Sequence, residues 1–130
     1  MYAVAVRREL IARHFMTGAD FGAENHPHSH RYLVEWRLEG RALDRMGFLV
    51  DIDRIAADLE AGLAGFRDRT LNELAAFEGR NPSVENLARV IWDKLARGLA
   101  AAGIERARLT VWESDTAWAF YEAAPGCASP

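Results

Sequence analysis

Cysteine is almost missing from this chain: Cys127 is the only one in 130 residues, and it sits in a tail with Pro125, Gly126 and Ser129. A single thiol cannot close an internal disulfide, so a stapled secreted scaffold is excluded and a cytoplasmic setting is expected. Long apolar runs are missing too. None approaches the roughly 18 residues that a bilayer-crossing helix needs, so no membrane role is expected. The first residues alternate (Tyr2, Val4, Val6) where a signal peptide would carry an apolar block. Nor is there an excess of basic charge, the net being -3 and the pI about 5.8. Nucleic-acid binding draws on a clustered basic surface, which makes DNA or RNA an unexpected partner. A local basic pocket for one small anion is still compatible with that balance. Repeats, linkers and low-complexity blocks are absent as well. What remains is one ordinary globular domain, read as residues 1–124 with a tail at 125–130.

Two periodicities alternate along the chain. Over residues 1–15 the even positions Tyr2, Val4, Val6 and Leu10 predict a strand. The clearest strand covers 28–39, with His28, His30, Tyr32, Val34, Trp36 and Leu38 on one side and mostly polar residues on the other. A helical period then takes over at 51–63, where Ile52, Ile55, Ala56, Leu59 and Leu63 share a face. A second helix is predicted from an Asn81 N-cap and Pro82 at the first helical position, with an apolar stripe from Val84 to Leu99 and a stop at Gly103. Strands at 106–113 and 116–122, joined at Ser114-Asp115, close the chain. The order ββααββ predicts an α+β fold: a four-stranded antiparallel sheet with two helices on one face. The other face must be polar or covered, and association of subunits would cover it.

All four histidines, His14, His26, His28 and His30, fall within 17 positions. Residues two apart on a strand point the same way, so His28 and His30 are neighbours on one face. His14, ending the preceding strand, would add a third ring from across the sheet. Three neutral imidazoles with one open position is the ligand set of catalytic zinc. The bland alternative is a loop that happens to be rich in polar residues. His26 precedes Pro27 and is open between a loop residue and a substrate contact.

Five stretches in order then resemble one family, the 6-pyruvoyl-tetrahydropterin synthases, including the bacterial 6-carboxy-tetrahydropterin synthases. Ala12-Arg13-His14-Phe15 resembles the first zinc-histidine segment, and His28-Ser29-His30-Arg31-Tyr32 the His-Gly-His-x-Tyr strand. Gly47-Phe48-Leu49-Val50-Asp51 is similar to the segment leading into the first helix. Asn81-Pro82-Ser83-Val84-Glu85-Asn86-Leu87-Ala88 is similar to the segment leading into the second. Val111-Trp112-Glu113 with Ala119-Phe120-Tyr121 resembles the closing hairpin, whose glutamate anchors the pterin. The resemblance implies the tetrahydropterin-synthase fold (T-fold), Zn2+ on His14, His28 and His30, and Glu113 as the substrate-binding residue. It also implies dihydroneopterin triphosphate as substrate and assembly into homotrimers or homohexamers with sites between subunits. Away from the resemblance, Glu113 reads as a strand-end glutamate in solvent.

Two catalytic positions depart from the family pattern. Glu24 stands where the family has a cysteine, four residues before the His-x-His pair, and Asp68 stands where it has a histidine. A free thiol has a pKa near 8.5 and a free glutamate near 4.3, a gap of about 4 units or roughly 6 kcal/mol of proton affinity. If half is felt in the transition state, glutamate loses about 3 kcal/mol. The thiol, only a few per cent ionised at neutral pH, gives back about 2 kcal/mol. Glutamate is therefore admissible as the base. Glu24 and Asp68 are the candidate catalytic residues; a solvated loop and a surface salt-bridge loop with Arg67 and Arg69 are the alternatives. Those two arginines would otherwise attract a triphosphate.

The expectation is a zinc-dependent pterin lyase giving a 6-pyruvoyl- or 6-carboxy-tetrahydropterin. Its rivals are a side-chain-cleaving variant that leaves 6-hydroxymethyl-dihydropterin and a non-catalytic zinc- and pterin-binding paralogue.

Overall fold

The computed structural model describes residues 1–97 and 99–126; Gly98 and the tail holding Cys127 lie outside them. Two long strands, β1 (Tyr2–His14) and β2 (His28–Gly40), lead into helices α1 (Ile52–Leu63) and α2 (Val84–Leu95). Strands β3 (Arg106–Ser114) and β4 (Ala117–Ala123) finish the chain. All neighbours are antiparallel and the sheet order is β1-β2-β3-β4. The predicted ββααββ order and its architecture are thus what the chain adopts.

Period-two alternation decides which face is dry. Val6, Leu10 and Ala12 of β1, Tyr32, Val34, Trp36 and Leu38 of β2, and Ala107, Leu109 and Val111 of β3 are buried. The helices cover this face with Ile55, Leu59 and Leu63 from α1 and Leu87, Ala88, Ile91 and Trp92 from α2. Trp92 also satisfies its indole N–H on the Ala107 carbonyl at 2.8 Å, so this large ring enters the core without an orphan donor. The reverse face carries cross-strand ion pairs such as Arg7–Glu35 at 2.8 Å and Arg108–Glu122 at 3.2 Å. Trp118 and Phe120 are exposed there beside them.

Four details of the sequence reading are corrected. The N-cap of α2 is Ser83, whose Oγ accepts from the Asn86 N–H at 3.1 Å, not Asn81. Asn81 instead clamps the chain after β1, accepting from the Thr17 N–H at 2.8 Å and donating to the Thr17 carbonyl at 3.0 Å. Pro82 therefore precedes the cap. Second, α2 stops at Leu95 and does not run on to Gly103. Among the described residues only a short 3-10 turn at Ala100–Ala102 follows. Third, Ile52 is exposed, and Gly62 takes a place on the packed face of α1, close against Leu95. The last hairpin turns at Asp115–Thr116, one residue later than expected.

Candidate metal centre

Strand register builds the centre. In the β1–β2 ladder His14 pairs directly with His28, and Ala12 with His30. His14, His28 and His30 therefore project from the helix-covered face at the end of the sheet, continuing the rows that hold Leu10 and Tyr32. Their ring centroids lie 4.6–4.8 Å apart pairwise. His14 is buried to 1% exposure, while the other two rings border solvent.

Hydrogen bonds set the ring tautomers. A carbonyl only accepts, so His14 Nδ1 donates to Pro82 O at 2.8 Å and His28 Nδ1 donates to His26 O at 2.7 Å. Each ring then carries a bare lone pair on Nε2. Those atoms, with Nε2 of His30, are buried and find no hydrogen-bond partner. Carbonyl-oriented imidazoles with free Nε2 lone pairs are how metal-binding histidines are held. The backbone of His26 thus contributes to the centre, and its side chain does not. Neither the Pro82 carbonyl nor that of His26 was foreseen. A carbonyl two residues upstream of a strand histidine leaves no mark in residue identity.

Two carboxylates close on the same rings. Glu24 Oε2 lies 3.1 Å from Nε2 of His28, and Glu113 Oε1 lies 3.1 Å from Nε2 of His30 and 3.9 Å from that of His14. Glu24 rides on a 3-10 turn, Gly22–Asn25, which Asn25 pins by donating to the Met16 and Ala19 carbonyls and accepting from the Phe21 N–H. Glu113 is placed by a bulge. Trp112 pairs with Trp118 and Ser114 with Ala117, which leaves Glu113 as the extra residue. Bulges commonly re-aim a side chain beside a functional site.

An acceptor thus faces an acceptor: the His28 lone pair meets a carboxylate oxygen across 3.1 Å. Such a contact repels unless positive charge lies between the two atoms. One proton would relieve one pair. Three nitrogens converging with carboxylate oxygen call instead for a divalent cation, and the N/O donor set suits zinc. Among the described residues, one ligand atom each of His14, Glu24, His28 and His30 lies within 4.8 Å of all the others. The residues fit the metal.

Burial pushes the His14 pKa below the ordinary imidazole value of 6.5, outweighing the Pro82 hydrogen bond, so the ring stays neutral and able to ligate. Tyr32, whose hydroxyl lies 3.2 Å from His14 Nδ1, is shifted upward by burial and by the charges of Glu113 and Glu24. It stays protonated, and it is a polar group at the centre that the sequence reading quoted only as part of a motif.

Asp68 lies elsewhere. It is exposed at the outer edge of β1, with its N–H bonded to Ile11 O at 2.8 Å and its carbonyl accepting from Arg13 at 2.6 Å. It is the one non-glycine residue with positive φ (57°) among those described, and it is not part of the four-residue cluster. Arg67 is tied to Glu60 and to the Glu9 carbonyl.

The family model for 6-pyruvoyl tetrahydropterin synthase matches residues 3–124. The chain belongs to this family. Solved structures of family members agree in fold. The Caenorhabditis elegans 6-pyruvoyl tetrahydropterin synthase superposes with a TM-score of 0.79 at 20% identity, over 95% of this chain and 98% of that one. The Plasmodium falciparum enzyme gives 0.79 at 15% identity, with the same coverage. A Plasmodium vivax family member, in which a glutamate described as a catalytic residue is replaced by alanine, gives 0.73 at 14% identity over 95% and 99%. No curated protein matches the chain by sequence.

Proposed function

We propose that this chain is a zinc-dependent pterin lyase that converts dihydroneopterin triphosphate to a 6-pyruvoyl- or 6-carboxy-tetrahydropterin. Family membership supports a pterin substrate. The observation that carries the metal is the convergence of three buried, partnerless Nε2 atoms beside carboxylate oxygens. A zinc ion held by His14, His28 and His30 would supply a Lewis acid that lowers the pKa of a side-chain hydroxyl.

Each protein residue then has a defined task. Glu113 offers two acceptor oxygens to the adjacent N–H groups of the pterin ring, a pairing of matched geometry. Glu24 Oε2 takes the proton released from the substrate side chain. Its carboxylate stands at the rim, half exposed, where a substrate reaches it. The Plasmodium vivax relative, with a glutamate described as catalytic, supports a carboxylate in this role. The buried Tyr32 hydroxyl and the Pro82 carbonyl hold His14 in one orientation. Asp68, exposed on the far edge of β1, serves as a proton relay only from the edge of a neighbouring copy. That role requires the trimer or hexamer the family resemblance implies. No helix among the described residues is long and apolar enough to cross a membrane, in keeping with action on a dissolved substrate.

Incubating the zinc-loaded protein with dihydroneopterin triphosphate and reading products by mass tests the proposal. A pyruvoyl or carboxy product supports it. A 6-hydroxymethyl-dihydropterin product replaces it with the side-chain-cleaving reading. Zinc and pterin binding without turnover replaces it with the non-catalytic one, which Glu24→Cys combined with Asp68→His would then be expected to convert into an enzyme.

A further inference from the structure

We infer that Glu24 is itself a ligand of the metal in the substrate-free protein, and that substrate must displace it before it acts as a base. The inference rests on the zinc reading above and concerns what fills the fourth position. Ligands about 2.0–2.1 Å from a tetrahedral zinc sit roughly 3.3 Å apart along the edges of the shell. Glu24 Oε2 is 3.1 Å from His28 Nε2, the separation expected of two ligands of one ion. It is also within 4.8 Å of the ligand atoms of His14 and His30. Glu113 comes equally close to His30 but does not join that mutual set, so of the two carboxylates Glu24 is the one that completes it.

The loop is built for such a task. Its backbone is fixed by the Met16 N–H on Glu24 O at 2.7 Å and by the three bonds of Asn25. The Glu24 side chain itself is half exposed and makes no contact outside the centre among those described. A fixed backbone with a free side chain lets the carboxylate swing off without unravelling the turn. Metal-bound, its lone pair is engaged and it is a poor base; released, it regains its affinity for a proton. A substrate hydroxyl arriving at the centre would take the vacated position and free the base in the same event. The carboxylate would then be withheld from proton transfer until substrate is present. A cysteine at this position would meet zinc as a softer ligand, so the exchange for glutamate also changes how readily the fourth position opens.

Co2+ titration of the metal-free full chain reads this directly, because visible absorption reports coordination number independently of turnover. The wild type is expected to give the intense bands of a four-coordinate site. Glu24→Gln keeps the side-chain length but not the charge, and is expected to lower Co2+ affinity at least about 10-fold and to alter the bands. Adding dihydroneopterin to the wild type should change the spectrum, and adding it to Glu24→Gln should change it less. Circular dichroism checks that the variant folds, and Glu24→Asp provides a second variant, with affinity between the two. Wild-type affinity and bands in both variants would overturn the inference while leaving the three-histidine centre standing. If the wild type takes up no Co2+, both fall together.

Discussion

Removing the metal should lower the melting temperature by an amount that can be worked out in advance. Three buried Nε2 atoms without hydrogen-bond partners gather at a sheet end, two of them about 3.1 Å from carboxylates, an arrangement that a cation would relieve. A metal that binds only the folded chain stabilises it by RT ln(1 + [M]/Kd), about 2.7 kcal/mol at a free concentration 100 times Kd. The entropy of unfolding is roughly 2.1 cal/mol/K per residue, or about 0.27 kcal/mol/K for this chain of 130 residues. The expected shift is therefore about 10 °C. Scanning calorimetry at fixed protein concentration, with buffered zinc against chelator, measures it. His28→Ala should abolish most of the shift, since it removes one ring and the contact to Glu24. The shift should also shrink on acidification, because protons compete for the imidazole nitrogens. Identical melting in zinc and in chelator would refute the reasoning. So would a His28→Ala variant that keeps the full shift.

Other outcomes follow from particular contacts. Gly40→Ala would put a Cβ 2.7 Å from Leu49 Cδ1 and 3.1 Å from the Gly103 carbonyl; overpacking of this kind costs about 1–3 kcal/mol, read from urea unfolding. Ser83→Ala removes the cap of α2 and should cost about 1 kcal/mol in the same assay. The metal-free protein should lose stability as the pH falls from about 6.5, because His14 resists protonation in the fold while the unfolded chain takes up the proton freely. The loss should level off once the pH passes below the depressed folded-state value. Stability that is flat from pH 7 to 5 in the metal-free protein would count against the burial of His14.

Much of the fold was legible because its signals are local. The alternation over β2 predicts both the strand and its dry face, and every even residue from Tyr32 to Leu38 is buried. The α2 cap was misplaced because Asn81 and Ser83 are both good capping residues; a long-range fact, the Thr17 clamp, settles which one caps. The histidine trio was legible only in part. The His28-x-His30 spacing defines a pair, whereas His14 joins it through a register in which thirteen residue pairs align it opposite His28. No spacing rule yields that register. Glu113 depends on one extra residue in a hairpin, and sequence does not mark a bulge of this kind.

The two candidate catalytic positions, Glu24 and Asp68, separate on the same physical ground. Glu24 is four residues from His28, inside a loop of thirteen residues whose ends are held together by the His14–His28 pair. Closing so short a loop brings any residue on its inner side to the rings, and Asn25 then fixes which side is inner. Asp68 has no such tether to the centre. Along β1, Arg67 lies at Glu9, Asp68 itself at Ile11, and Arg69 and Thr70 at Arg13, and the edge they occupy belongs to the outside of the sheet. A backbone held at positive φ by two separate bonds is costly for a residue other than glycine, and structure of that kind persists where something over-determines it. Replacing Asp68 with glycine should therefore leave the isolated fold as stable as before or more so, while Asp68→Ala in an assembled protein should lower turnover without changing metal content. A monomeric protein that turns over pterin at full rate after Asp68→Ala would remove this residue from the chemistry altogether.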